Sequence, residues 1–279
     1  MNWIDTAGNA IYDAGPRGDD QYSMNGQAVM YDIYKILKTG GAPAYEYAGA
    51  TAATYVIDLN QSIIDGSPPV VRNTAPMAYP RAFANGVVLP NGQVLIVGGQ
   101  TQAEPFSDDS AVLVPELWDP VSETFTQLNP MQTPRTYHSV ALLLPDARVL
   151  VGGGGQCGSC PTNHPDVEIF SPPYLFNSNG TQASRPGITS APSTAQAGQN
   201  ISVKTNVAVG NFVIVRMSSV THTVNNDQRR VPLQIVSNSG TSYTVSIPSD
   251  TGVVTPGYYM LFANNAKGTP SVARIIKFS

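Results

Sequence analysis

Pro80-Arg81-Ala82-Phe83 opens a segment that runs through Val87-Val88-Leu89-Pro90-Asn91-Gly92 to Val94-Leu95-Ile96-Val97-Gly98-Gly99, and the chain then repeats it. The second copy opens at Pro134-Arg135-Thr136-Tyr137 and runs through Leu142-Leu143-Leu144-Pro145-Asp146 to Val149-Leu150-Val151-Gly152-Gly153. The copies are offset by 54 residues at the opening and 55 at the turn, so one residue is inserted between those points. A fainter copy, Gln27-Ala28-Val29-Met30-Tyr31-Asp32 through Ile36-Leu37 to Gly40-Gly41, precedes both. Each copy reads as strand, polar turn, strand, diglycine, because Pro-Asn-Gly and Pro-Asp-Ala supply turn chemistry between β-branched or aliphatic runs. A further strand follows each diglycine, at Ala53-Thr54-Tyr55-Val56-Ile57, Pro115-Glu116-Leu117-Trp118 and Val167-Glu168-Ile169-Phe170.

Such a unit, about 50 residues long, resembles the kelch repeat of β-propellers. Glycine doublets suit that architecture, since strands crowd near the central channel and side chains would clash. The repeat ends in a loop rich in Asn, Gly, Ser and Pro at residues 178–187. Beyond it, short strands at sandwich-like spacing are predicted over 201–205, 212–217, 231–236, 243–247, 258–263 and 272–278. The expected fold is all-β: a partial kelch-type β-propeller of about three blades over residues 1–180, then a small antiparallel, immunoglobulin-like β-sandwich over residues 186–279.

Composition agrees. The 279 residues are 42% hydrophobic but only 12% charged, with 25 Gly and 23 Pro, which argues for short strands and turns over a helical bundle. The net charge is −4 with no basic run, so a phosphate-tracking nucleic-acid surface is excluded. No stretch approaches the ~20 apolar residues of a membrane-spanning helix. Met1-Asn2-Trp3-Ile4-Asp5-Thr6 has neither the basic region nor the apolar run of a signal peptide. Sequons stand at Asn60, Asn179 and Asn200.

The two cysteines lie in Gln156-Cys157-Gly158-Ser159-Cys160-Pro161. A redox dithiol would want a helix after the motif, and no helical period follows. A zinc site would want a second ligand pair, and only His164, otherwise a surface loop residue, lies near. A local structural disulfide in an exported protein is the third reading. Comparing the strong repeats, Tyr137-His138 stands where the other copy has Phe83-Ala84. A propeller needs only an apolar residue there. The phenol and imidazole either satisfy each other locally or serve chemistry. His222 lies in a polar hairpin, and two imidazoles with a phenolate suit Cu(II), which favours tetragonal N,O ligation.

Tyr137-His138-Ser139, Leu144-Pro145-Asp146, the glycine run 152–155 before Cys157-Gly158-Ser159-Cys160, Thr221-His222-Thr223-Val224-Asn225, Asp227-Gln228-Arg229-Arg230 and Pro256-Gly257-Tyr258 closely resemble the C-terminal half of the galactose oxidase and glyoxal oxidase family, the copper-radical oxidases. The resemblance runs nearly end to end, from Met1-Asn2-Trp3 through Met24-Asn25-Gly26 to the last strand. It implies a copper site in which Tyr137 is the axial ligand and catalytic base, and His138 and His222 are equatorial, His222 carried on a sandwich hairpin that reaches into the propeller channel. It implies a Cys157–Cys160 disulfide, and a substrate pocket at Tyr45, Glu46 and Phe106. Galactose oxidase has Gln where this chain has Glu46, so an acceptor-only carboxylate replaces an amide and puts galactose in doubt. Asn25 stands where that enzyme has a cysteine. The implied reaction oxidises a primary alcohol or aldehyde with O2 and releases H2O2, and the implied location of the full-length protein is extracellular.

The family's cross-linked Tyr–Cys radical cofactor belongs to an N-terminal half with no counterpart in this chain. Met1 matches a methionine internal to the family pattern. The expectation is therefore a C-terminal fragment, with little or no oxidase activity alone and the remaining propeller half as its partner. Two rival readings stand beside the oxidase: a metal-free kelch-propeller binding module, and a degenerate structural remnant. Copper binding that depends on His138 and His222 separates the oxidase from the binding module.

Overall fold

Alternating apolar runs and polar turns fold as antiparallel sheets in the computed structural model, which describes residues 1–22 and 24–279. The first blade orders Gln27–Asp32, Lys35–Thr39, Thr54–Asp58 and Val70–Asn73. The second orders Ala82–Val88, Val94–Gln100, Glu116–Asp119 and Thr124–Gln127. The third has three strands, Ser139–Leu143, Val149–Gly153 and Val167–Phe170. The strands expected after each diglycine are present. Outer strands Val70–Asn73 and Thr124–Gln127, the helix Asn60–Asp65 and a hairpin of Asn2–Ile4 with Ile11–Asp13 were not foreseen. Trp118 is buried in the blade core with its ring edge-on to Tyr31, whereas Trp3 sits on that separate hairpin.

Both inner strands of the second blade are buried at every position. Burial at every position belongs to strands covered on both faces, and here Val87, Val88 and Leu95 share one core with Val29 and Leu37 of the first blade and Ala141 and Val151 of the third. The Pro-Arg opening of each strong repeat is a strut. Arg81, fully buried with Glu116, donates to the carbonyls of Gly98 and Val114 and to the Glu116 carboxylate at 2.8 Å. Arg135 does the same with Gly153 O at 3.0 Å and with Asp166 and Glu168. The crowding that the diglycines foretold is visible at Gly98: its φ is 71°, and a Cβ there would lie 2.3 Å from the Arg135 carbonyl oxygen.

The C-terminal domain orders Ile188–Ser190, Asn200–Thr205, Ser242–Ser246, Arg230–Ser239, Asn211–Arg216, Gly257–Asn264, Arg274–Phe278 and Thr194–Ala195. The ten-residue strand Arg230–Ser239 pairs with Asn211–Arg216 through its first half and with Ser242–Ser246 through its second, so the sheet folds over on itself. All pairs are antiparallel except Thr194–Ala195 with Arg274–Phe278, a parallel edge pair where an all-antiparallel domain was expected. Side chains alternate across a strand. Phe212 and Ile214 fill the domain's own core with Tyr259 and Leu261, while Val213 and Val215, with Met260 and Phe262, join the blade core. The domain is thereby fused to the blades through an apolar face.

Candidate metal centre

The residue inserted into the third repeat lies at the site itself. Ala84 pairs with Gly98 in the second blade and Ser139 with Gly153 in the third, while Arg81 and Arg135 reach those same glycine carbonyls. The third blade therefore has one extra residue between its arginine and its inner strand. The chain absorbs it as a tight turn in which the N–H groups of His138 and Ser139 both donate to Thr136 O, at 2.6 and 3.0 Å. His138 takes φ 151°, a region that favours glycine. Neighbours on a regular strand point to opposite faces. This turn instead stacks the Tyr137 and His138 rings, with centroids 3.8 Å apart and planes 30° apart.

Gly155 orients the pair. Its N–H donates to Tyr137 O at 2.9 Å, and its carbonyl lies 2.6 Å from His138 Nδ1. A carbonyl can only accept, so Nδ1 carries the proton and Nε2 presents its lone pair. That Nε2 is buried and has no hydrogen-bond partner. Leaving a buried acceptor unsatisfied costs about 1–3 kcal/mol, so the atom is set up for a ligand. Gly155 holds φ 73°, with the Thr162 carbonyl oxygen 2.3 Å from where a Cβ would stand.

His222 arrives from the other domain, on the loop between strands Asn211–Arg216 and Arg230–Ser239. Thr221 and Val224 exchange backbone hydrogen bonds at 2.8 and 3.2 Å around a two-residue turn, with His222 at φ 52° and Thr223 at φ 62°. Two positive φ values in a two-residue hairpin define a type I′ turn, normally Asn-Gly; a β-branched Thr there is an outlier. The blades hold the loop in place. Gln27 of the first blade donates to Thr223 O at 3.1 Å and to Ala84 O. Gln228 accepts from Val88 N at 3.0 Å and donates to Gly86 O at 2.7 Å, imitating a paired strand. The His222 ring centroid lies 4.6 Å from His138 and 5.9 Å from Tyr137, and Thr221 Oγ1 occupies its Nδ1 at 2.7 Å. Two imidazoles with Nδ1 engaged and a phenol thus share one cluster. Among the described residues no group of three or more His, Cys, Asp or Glu side chains is placed to hold a metal. A two-nitrogen, one-oxygen donor set fits Cu(II).

The remaining site candidates gather unevenly. The rings of Tyr45, Phe83 and Phe106 stand edge-on around Tyr137 at 5.6, 5.2 and 5.0 Å. Desolvation, with the Tyr137 hydroxyl and the Glu46 carboxylate nearby, pushes the Tyr45 phenol above its ordinary range. Glu46 itself is exposed. Cys157 and Cys160 form a disulfide, Cα atoms 5.5 Å apart. His164 is not a free surface residue: its Nε2 lies 2.8 Å from the Asp108 carboxylate. Sequence reasoning missed Gly155, Thr221, Gln27 and Gln228. The glycine run at 152–155 was a signal for the first, and Thr221 and Gln228 stood in motifs that carry the family resemblance; Gln27 carried no signal.

A family model described as glyoxal oxidase N-terminus matches residues 21–174, and one described as galactose oxidase-like, early set domain matches residues 185–278. Galactose oxidase of Gibberella zeae is 44% identical over 99% of this chain and 42% of its own length. An aldehyde oxidase of Vitis pseudoreticulata is 32% identical over 95% of this chain and 54% of its own. The structure of a fungal alcohol oxidase in complex with copper superposes with a TM-score of 0.96 at 43% identity, covering all of this chain and 59% of the other. The chain thus spans about half the length of the relatives it matches. With a propeller joined to a β-sandwich and matches of this extent on both sides of the junction, the chain belongs to the galactose oxidase and glyoxal oxidase family, the copper-radical oxidases.

Proposed function

We propose that Tyr137, His138 and His222 would hold the copper of an oxidase acting on primary alcohols or aldehydes with O2, the phenol through its oxygen and the imidazoles through Nε2. The observation that carries the reading is the clustering of the three rings, together with a buried, partnerless His138 Nε2. Copper held there would supply Lewis acidity toward a bound hydroxyl and a one-electron acceptor. Tyr137 would serve as the base that takes the hydroxyl proton. Gly155 O holds the His138 imidazole in the tautomer that frees Nε2, and Thr221 Oγ1 engages His222 Nδ1 and leaves its Nε2 as the ring nitrogen for the metal. Tyr45 and Phe106 wall the phenol and limit water around it, and with Glu46 they form the proposed substrate mouth. Glu46 favours substrates that donate hydrogen bonds.

The family's radical ligand needs a tyrosine cross-linked to a cysteine. Both cysteines of these 279 residues are tied to each other. We therefore infer that this polypeptide alone turns over little or no alcohol. The same proposal takes residues 1–180 as kelch-type blades, residues 186–279 as an immunoglobulin-like domain, and the full-length protein as extracellular, consistent with the disulfide. No helix among the described residues is long and apolar enough to cross a membrane. Titration with Cu(II) tests the reading: wild type binds, and His138→Ala and His222→Ala each weaken binding. Peroxide formation from primary alcohols by the copper-loaded chain alone would contradict the inferred inactivity.

A further inference from the structure

We infer that the Asp108–His164 pair, with Thr162, is a positioning device that seats Phe106 against Tyr137 and His138 and so fixes the width of the site's mouth; this rests on the reading of that cluster as the reaction centre. Phe106 has φ 61°, a conformation that a bulky aromatic residue does not hold unaided, and the residue is 45% exposed. Little apolar packing keeps it there. Its loop is instead fastened at three polar points. Thr162 Oγ1 donates to the Phe106 carbonyl at 3.3 Å. Thr136 Oγ1, on the residue preceding Tyr137, donates to the Ser107 carbonyl at 3.1 Å. His164 Nε2 lies 2.8 Å from Asp108 Oδ2. Thr136 and Thr162 are both buried, and His164 and Asp108 are mostly shielded, so these bonds are protected from competing water.

Two of the three fasteners come from the disulfide loop, which also carries the partner of His138. His164 N donates to Gly154 O at 3.3 Å, and Gly155 is wedged against the Thr162 carbonyl. One loop therefore sets both the His138 ring, through Gly155, and the Phe106 ring, which stands edge-on to Tyr137 at 5.0 Å and to His138 at 5.6 Å. The Cys157–Cys160 bridge ties that loop to itself between the two tasks. His164 touches no reacting group in this arrangement. It acts through Asp108 on the placement of Phe106.

The test uses the whole chain with 4-fluorophenylalanine at position 106, read by fluorine NMR without metal and followed by Cu(II) titration of the same samples. Wild type is expected to give one resonance shifted from that of the free amino acid. His164→Ala should move it toward the free value, and Thr162→Val should do so to a smaller extent. His164→Gln, which keeps an N–H within reach of Asp108, should restore it. A resonance unchanged in His164→Ala, or displaced equally in His164→Gln, overturns the inference. Wild type that binds no copper, by contrast, overturns the reading of the cluster on which the inference rests.

Discussion

His222 sits where the backbone wants a different residue, and replacing it separates function from folding. In the type I′ turn Thr221–Val224, His222 occupies the first positive-φ position at 52°. An ordinary residue in the left-handed region costs roughly 1 kcal/mol, a penalty that Asn largely escapes. His222→Asn also removes the hydrogen bond between Nδ1 and Thr221 Oγ1, which is exposed and contributes about 0.5 kcal/mol. Gln27, Gln228 and the buried Thr223 backbone remain in place. The metal-free variant should therefore be as stable as wild type or about 0.5 kcal/mol more so. Copper binding moves the other way. Loss of an orienting partner alone typically costs 10–100-fold, so loss of the ligand itself should exceed about 100-fold, equivalent to about 2.7 kcal/mol. Urea denaturation of the metal-free protein and competitive Cu(II) titration measure the two effects. A metal-free variant destabilised by more than about 1 kcal/mol would refute the assigned turn strain, and unaltered copper affinity would refute the ligand role.

Gly155→Ala should destabilise the chain by about 2 kcal/mol or more, since its Cβ would meet the Thr162 carbonyl at φ 73°. The same substitution should weaken copper binding about 10–100-fold by disturbing the carbonyl that orients His138, which titration will show. Gln228→Leu leaves the Val88 N–H and Gly86 carbonyl buried without partners and should cost about 3 kcal/mol in urea unfolding. Tyr34→Phe addresses pH. The Tyr34 hydroxyl donates to Asp250 across the two domains, holding that carboxyl low while its own phenol is raised to about 12 by the same bond. The Asp250 contribution is present above its unfolded value of about 4 and fades as the pH falls below it. The Tyr34 contribution is complete below about 10 and is lost as the pH rises toward 12. Melting temperatures across the pH range should therefore vary less at both extremes in Tyr34→Phe than in wild type.

The blades were legible because their inner strands, Ala82–Val88 and Val94–Gln100, carry the aliphatic runs Val87-Val88 and Val94-Leu95-Ile96-Val97 on either side of a Pro-Asn-Gly turn, a pattern that repeats in the third blade. Outer strands Val70–Asn73 and Thr124–Gln127 are largely exposed and carry no apolar rhythm, so pattern alone passes over them. In Asn211–Arg216 the apolar run marks a strand but hides which residues face which core, since Phe212 and Val213 are both apolar and bury on opposite sides. At the candidate centre, comparison between repeats singled out Tyr137 and His138, and an insertion was countable. Its location was not, because only backbone pairing shows that the extra residue falls at that pair. The meeting with His222 depends on a loop held by Gln27 and Gln228, ordinary polar residues in sequence. His164 looked like surface because its partner, Asp108, comes from a different repeat.

Electron paramagnetic resonance of the chain loaded with one equivalent of Cu(II) tests the shared ligation most directly. The nitrogen hyperfine pattern of two imidazoles is expected in wild type, with one nitrogen lost in His138→Ala and one in His222→Ala. A pattern that neither substitution alters would contradict convergence of the two domains on a single copper ion.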